Sequence, residues 1–183
     1  MSAGYRDLTV RADGSRLTVS FTLEHRGQDR WTLAQKLALG WQVYDPETSA
    51  FLAEGDWLAL DREMNPGDTQ AIQDLIVELP REAGHYRVYL SALNELDGWF
   101  YEQQWPFVVM EAKVDRQGAA SVQSTVVTTL AGLRRQMWPR RLRIAVLQPW
   151  QTIWTNRRLI SSMVRREVAA PGTNWISSLR RVR

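Results

Sequence analysis

Residues 84–107 read GHYRVYLSALNELDGWFYEQQWPF, and the rest of the chain is arranged around this stretch. Tyr86, Val88 and Leu90 fall on one side of an extended chain, with the period of two that indicates a β-strand. A polar turn ending in Gly98 follows, and five aromatic residues then occur within nine positions. This pattern predicts a β-hairpin with a glycine-containing loop and an aromatic second arm, and we expect one of the two arms to anchor a hydrophobic core.

The chain before this hairpin contains further strand patterns. Apolar and polar residues alternate strictly over residues 17–24, and a second strand pattern covers residues 37–44. Residues 69–79 predict another strand, in which the step from Ile72 to Leu75 breaks the period and indicates a β-bulge. About seven or eight short strands over roughly 110 residues predict a mainly β fold, an antiparallel immunoglobulin-like β-sandwich, with another all-β barrel as the alternative.

Charge is divided unevenly along the chain. Residues 1–112 hold nine Lys and Arg against eighteen Asp and Glu, a net charge of −9, whereas residues 113–183 hold fourteen against two, a net charge of +12. An acidic first part and a basic second part indicate two regions with different partners. We predict the sandwich over residues 1–114, a linker over 115–125, a basic amphipathic helical segment over 126–170 and an irregular basic tail over 171–183.

Composition excludes several kinds of chemistry. The chain contains no cysteine, so disulfides and thiol chemistry are excluded. His25 and His85 lie far apart without metal-ligand spacing, so we predict no metal site and no cofactor. The N-terminal residues lack the apolar core of a signal peptide, and no run of about 18 uncharged apolar residues predicts a membrane span.

No arrangement of residues predicts catalysis. Glu95 and Asp97 are two carboxylates near aromatic residues, which is reminiscent of a glycosidase pair. They stand in a turn beside Gly98, however, where acidic residues are expected for backbone reasons. Nothing in the sequence places a nucleophile next to a base. We therefore expect no catalytic residues and a protein that is not an enzyme.

Trp99, Tyr101 and Trp105 are the candidate carbohydrate-binding residues. They share one parity of a strand, so they would line one face together, and an aromatic plane packs well on the C–H face of a pyranose ring. Trp31 and Trp57 are further aromatic candidates. The alternative is that these rings fill the core of the sandwich. A row of rings open to solvent would favour sugar binding over an architectural role.

The segment over residues 126–170 carries apolar side chains on one side and arginines over much of the rest. An anionic membrane surface and a partner subunit both suit such a helix, whereas nucleic acid is not expected because no nucleic-acid motif accompanies the arginines. Packing on the acidic sandwich, or head-to-tail oligomers, is the alternative. The candidate membrane- or partner-docking residues are Trp150, Trp154, Arg157, Arg158, Arg165 and Arg166.

Five short motifs follow one another over about residues 5–114, namely HRGQDRW, LALGW, MNPGDT, GHYRVYL and DGWFYEQQWPF. In this order they resemble an immunoglobulin-like sandwich that is attached to bacterial surface-polysaccharide machinery. The proteins that carry this sandwich include glycosyltransferases and the ATP-binding and permease subunits of ABC polysaccharide exporters. The resemblance therefore supports the predicted sandwich and implies a polysaccharide-related role.

Two runs in the basic segment resemble part of the ABC-2 type polysaccharide-export permeases. Residues 156–160 (NRRLI) and 163–168 (MVRREV) are similar to the cytoplasmic amphipathic segment that precedes the first transmembrane helix of these permeases. In that family the helix continues into the membrane, whereas this sequence departs from the pattern at Pro171. Transport by this chain alone is therefore not expected.

The resemblance implies a non-enzymatic accessory or binding module of a bacterial surface-polysaccharide export system, of the O-antigen or capsule type. Such a module would recognise the polysaccharide or a lipid-linked glycan, or would dock the exporter's ATPase subunit or a glycosyltransferase. Its implied location is cytoplasmic, peripheral to the inner membrane. The alternatives are an accessory acceptor-binding domain of a glycosyltransferase and a purely architectural sandwich that forms a homodimer.

Overall fold

The structure, a computed structural model, describes residues 2–135. This part of the chain is mainly β, and its strands pair in antiparallel fashion. Two short 3₁₀ helices, Leu33–Gln35 and Phe100–Gln103, lie in the connections. The ten described strands are β1 Ala3–Asp13, β2 Arg16–His25, β3 Ala38–Tyr44, β4 Phe51–Glu54, β5 Leu58–Ala59, β6 Thr69–Glu78, β7 Gly84–Asn94, β8 Gly98–Trp99, β9 Phe107–Val114 and β10 Ala120–Thr128.

The strands form two sheets with the main hydrophobic core between them. The smaller sheet has the order β1-β2-β6. The larger sheet has the order β10-β9-β7-β3-β4, with β5 added to β3 and β8 added to β7. Val19 of the smaller sheet and Leu90 of the larger sheet are both fully buried in this core. The prediction of a mainly β, antiparallel, sandwich-like architecture is therefore confirmed for the described residues.

Strand β2 shows how the sequence pattern leads to burial. Leu17, Val19, Phe21 and Leu23 are all buried in the core, as their alternation predicts. His25 continues the same face and is also fully buried. Its polar neighbours in the sequence predict a loop position instead, so this histidine is a core residue that the sequence pattern does not reveal.

The imidazole of His25 connects the loop between β2 and β3 to the core. Nδ1 accepts a hydrogen bond from the Gly27 N–H at 2.9 Å, so the ring proton lies on Nε2, which donates to the Asp29 carbonyl oxygen at 2.6 Å. The ring also stacks on Trp31, with a centroid distance of 4.1 Å. One buried histidine therefore holds two backbone groups and an indole in place.

The predicted bulge in β6 is confirmed. The register between β2 and β6 shifts between Ile72 and Leu75, and both of these side chains are buried. Asp74 adopts a φ of 53° at this point, and its backbone N–H donates to the Ser20 hydroxyl at 3.0 Å. The extra residue lets the two apolar side chains face the same core despite their broken spacing.

Strand β7 of the predicted hairpin lies between β9 and β3 in the larger sheet, and nine of its eleven residues are buried. Its pairing with β9 confirms the hairpin. The second arm differs from the prediction because only Gly98 and Trp99 pair with β7 before the chain forms the 3₁₀ helix Phe100–Gln103, which Gln104 ends with a φ of 66°. Only from Phe107 does this arm run as a long strand.

A strand occupies part of the predicted linker over residues 115–125. The Asp115 carboxylate accepts hydrogen bonds from the N–H groups of Gln117 and Ala119, at 2.8 and 2.9 Å, and closes a turn. Strand β10 then pairs with β9, so the sheet continues to Thr128, beyond the predicted boundary at residue 114. Small polar side chains are compatible with a strand here because β9 supplies the partner for its backbone hydrogen bonds. The local composition does not reveal that partner.

The predicted helical segment over residues 126–170 is described only at its beginning. Residues 126–128 belong to β10, and a helix begins at Leu130. The remainder of that segment and the tail over residues 171–183 lie outside the described residues. Within residues 2–135, no helix is long and apolar enough to cross a membrane.

Candidate functional site

A second aromatic cluster lies on the face of the larger sheet opposite to the main core. Tyr89 alternates with the core residues of β7, and its ring is 5.6 Å from that of Tyr101 and 5.1 Å from that of Phe107, measured between centroids. Leu133 is buried against the same cluster. These rings cover part of the sheet and provide a rigid base for the side chains beside them.

Two partly exposed tryptophans lie beside this cluster. Trp57, between β4 and β5, is 44% exposed, and its ring meets that of Trp99 at 85° with a centroid distance of 6.5 Å. Both indoles lie over Gly40 of β3, where an added Cβ would come within 2.7 Å of Trp99 and 3.0 Å of Trp57. A glycine at this position is therefore needed for the two rings to approach the sheet.

Glu54 links this tryptophan pair to polar side chains on the sheet. The indole Nε1–H of Trp57 donates to Glu54 Oε1 at 3.0 Å, and the side-chain amide of Gln42 donates to Glu54 Oε2 at 2.7 Å. The amide oxygen of Gln42 in turn accepts hydrogen bonds from the Tyr44 and Tyr101 hydroxyls, each at 2.7 Å. The ring of Trp57 is thus oriented by a carboxylate that is itself held in place.

The tyrosine hydroxyls of this network are protonated donors at neutral pH. Burial is the main cause that raises the pKa of both Tyr44 and Tyr101 above the ordinary value of 10.0. Glu102 adds to both shifts because its negative charge disfavours a second one nearby. The hydrogen bonds to Gln42 therefore persist over the physiological range.

All five tyrosines of the chain share this behaviour, and burial is the main cause that raises the pKa of each. The folded protein therefore holds the phenolic protons more tightly than the unfolded chain does. The stabilisation that these raised pKa values contribute is fully present below pH 10 and is lost as the pH rises above it.

We expect the free energy of unfolding in urea to fall steeply above about pH 10. As the pH is raised, the absorbance of tyrosinate should appear together with unfolding. Its appearance at pH 10 in a fully folded protein would contradict this expectation.

A groove of about 520 Å³ adjoins the tryptophan pair. It lies between the edge of the larger sheet, at β4 and β5, and strand β6 of the smaller sheet. Its floor includes Trp41, against which Gly55 packs so closely that an added Cβ would come within 2.0 Å of the indole. The lining residues are Trp41, Glu54, Gly55, Asp56, Trp57, Leu58, Gln73, Asp74, Leu75, Ile76 and Glu78.

The groove is acidic and carries apolar surface. Glu54, Asp56, Asp74 and Glu78 are among its lining residues, and no Lys or Arg is. Arg16 approaches from outside the lining and pairs with Glu78 at 3.1 Å. Such a surface offers hydrogen-bond acceptors to hydroxyl groups beside an indole plane, and it disfavours anionic ligands.

The structure separates the three candidate carbohydrate-binding residues instead of placing them on one strand face. Trp99 is partly exposed beside Trp57. Tyr101 is buried in the second aromatic cluster, and its hydroxyl donates a hydrogen bond to Gln42. Trp105 is buried in the main core, where its ring stacks on Trp31 at 6.1 Å. The 3₁₀ helix between Trp99 and Trp105 changes the direction of the side chains, so a strand parity does not apply.

Glu95 and Asp97 have structural roles in the turn between β7 and β8. Glu95 pairs with Lys36 at 3.3 Å on the surface, and Asp97 accepts a hydrogen bond from the Asn94 side chain at 2.8 Å. Neither carboxylate faces the groove. The candidate docking residues Trp150, Trp154, Arg157, Arg158, Arg165 and Arg166 lie outside the described residues, so their role stays a prediction.

Sequence reasoning did not identify Glu54, Gln42 or Gly40 as parts of a site. Glu54 and Gln42 are twelve residues apart and meet only because β3 and β4 pair. The one available signal is Gly40, since a glycine inside an otherwise apolar strand indicates close approach of another group. Comparisons with protein-family models and with curated proteins give no match to this chain.

Proposed function

We propose that residues 2–128 form an immunoglobulin-like sandwich that acts as a non-enzymatic carbohydrate-binding module of bacterial surface-polysaccharide export machinery. The strand order supports the immunoglobulin-like assignment. Strands β1, β2 and β6 correspond to A, B and E, while β9, β7, β3 and β4 correspond to G, F, C and C′. Strand β10 is an addition beside the G position.

The observation that carries the binding proposal is the tryptophan pair with its fixed carboxylate. Trp57 is 44% exposed and Trp99 is partly exposed beside it, and Glu54 accepts a hydrogen bond from the Trp57 indole. Sugar recognition combines an aromatic plane with nearby acceptors for hydroxyl groups. Preorganisation by Gln42 lowers the cost of ordering the site when a ligand binds. The adjoining groove has the size that ligand sites commonly have.

Binding of purified bacterial surface polysaccharides, measured by isothermal titration calorimetry, tests the proposal. We expect at least one polysaccharide of a panel with neutral and acidic members to bind the full chain. Trp57→Ala should weaken that binding by about tenfold or more because the stacking plane is lost. Trp57→Phe should have a smaller effect, since it keeps an aromatic plane but loses the indole N–H that donates a hydrogen bond to Glu54.

Leu96→Ala is the matched control, because Leu96 is 90% exposed in the turn before β8 and is not among the residues that line the groove beside Trp57. Its affinity should equal that of the wild type. An equal loss in Leu96→Ala and Trp57→Ala, or a panel without any binding, would count against the proposal. Under the proposed function, the ligand is the polysaccharide or its lipid-linked form. The exporter's ATPase subunit or a glycosyltransferase is then the neighbouring protein at the inner membrane.

A further inference from the structure

Strand β10 is a long edge strand that the described protein leaves uncovered. None of its nine residues is buried. Val126 is 38% exposed and Val127 is 40% exposed, although successive side chains of a strand point to opposite faces. Both faces of this stretch are therefore partly open to solvent, and β9 is the only strand within residues 2–135 that pairs with it. Its outer side carries backbone N–H and C=O groups that can pair with another strand.

Within residues 2–135, the edge strands β1, β4 and β6 carry features that discourage pairing. Strand β4 has only four residues. Strands β1 and β6 each contain an aspartate with positive φ, Asp7 at 52° and Asp74 at 53°, which disturbs the edge. Both strands also carry charged side chains, namely Arg6, Asp7, Arg11 and Asp13 on β1, and Asp74 and Glu78 on β6.

Strand β10 lacks such protection over most of its length. No charged residue occurs between Arg116 and Arg134. Its own bulge lies between Val122 and Ser124, and its first residue, Ala120, donates a backbone hydrogen bond to Gly14. The open part is thus residues 124–128, with the sequence STVVT, which has high β-propensity.

We propose that β10 is a homodimer interface, in which residues 124–128 of two copies pair in antiparallel fashion about a two-fold axis. An uncharged strand is self-complementary, since no like charges meet when two copies pair. A charged partner segment would gain no ion pair from it. The exposed valines of both copies would bury one another, and the two seven-stranded sheets would become one continuous sheet.

Sedimentation-velocity ultracentrifugation of the full chain, from about 1 to 100 µM, tests this interface. We expect a dimer in the wild type and at least about tenfold weaker dimerisation in Val126→Lys, because the lysines of both copies would meet near the axis. Ile76→Lys is the matched control, since Ile76 is 51% exposed on the β6 edge and the charge change is the same. Its dimerisation should be unchanged. A monomeric wild type, or equal weakening in both variants, would overturn the proposal.

Cysteine cross-linking gives a second measurement that does not depend on the lysine variant folding. The chain has no cysteine, so single substitutions at positions 124 to 128 report only on this strand. We expect an oxidant to cross-link the position nearest the axis, whereas Ile76→Cys should remain monomeric on a non-reducing gel. Raised salt should not weaken the dimer, although it would weaken association between the acidic and basic parts of the chain. Absence of a cross-link at all five positions, or dissociation by salt, would contradict pairing through β10.

Discussion

His25→Ala should lower the free energy of unfolding by about 3 kcal/mol. The imidazole is fully buried, and its removal leaves the Gly27 N–H and the Asp29 carbonyl oxygen without their partner. Each orphaned group costs on the order of 1 kcal/mol or more if water cannot reach it. The substitution also leaves a cavity against Trp31, whose ring loses its stacking partner at 4.1 Å.

His85→Ala is the natural control, because the chain has only two histidines and His85 is exposed. Urea unfolding, followed by far-UV circular dichroism, should show a change within about 0.5 kcal/mol for this variant. A similarly small loss in His25→Ala would mean that water or a shifted loop replaces the imidazole. A large loss in His25→Ala alone would establish that the loop between β2 and β3 depends on this residue.

The strands and the β6 bulge could be predicted because each leaves a local signal. Alternating apolar residues from Leu17 to Leu23 indicate one buried face, and the broken step from Ile72 to Leu75 indicates an extra residue. Burial in the structure follows both patterns. His25 escaped prediction because its burial depends on backbone partners in the following loop, which a polar sequence such as HRGQDR does not specify.

The candidate site could be predicted only in part, because its members come together through pairing of distant strands. Of the predicted aromatic row, Trp99 lies partly exposed beside Trp57, whereas Trp105 belongs to the main core. The parity argument fails because Phe100–Gln103 forms a 3₁₀ helix, which Gln104 ends in a left-handed conformation. Tyr101 and Gln42 are 59 residues apart, so a single sequence contains no sign of their hydrogen bond.

The sequence predicts a linker over residues 115–125, because these residues are small and polar, and a helical segment from residue 126, so it does not predict strand β10. Such a composition is neutral between strand and loop until an adjacent strand supplies hydrogen bonds. Val126 and Val127 are the only pair of adjacent β-branched apolar residues in it, and they are the ones left most open to solvent among its apolar side chains. The position of β10 at the edge of the larger sheet therefore follows only from the order of the strands in the structure.

Glu111→Ala should lower the free energy of unfolding by about 3 kcal/mol. Glu111 stands directly opposite Arg87 in the pairing of β7 with β9, and its Oε1 accepts hydrogen bonds from Arg87 Nε and from a terminal nitrogen, each at 2.7 Å. The Arg87 side chain is only 3% exposed, so removal of the carboxylate takes away the charged partner that stands opposite this buried cation in the sheet. Thermal or urea unfolding of the purified variant measures the loss.

Glu78→Ala provides the matched control, because Glu78 pairs with Arg16 at 3.1 Å and both side chains are more than 60% exposed. An exposed pair of this kind contributes about 0 to 1 kcal/mol, so this variant should remain close to the wild type. The double variant Arg87→Met with Glu111→Leu should recover most of the stability lost in Glu111→Ala. Such recovery would show that the cost arises from the buried charge of Arg87 once Glu111 is removed and that the pair itself adds little. If the double variant is as unstable as Glu111→Ala, the pair instead contributes a net attraction that apolar packing on this face cannot replace.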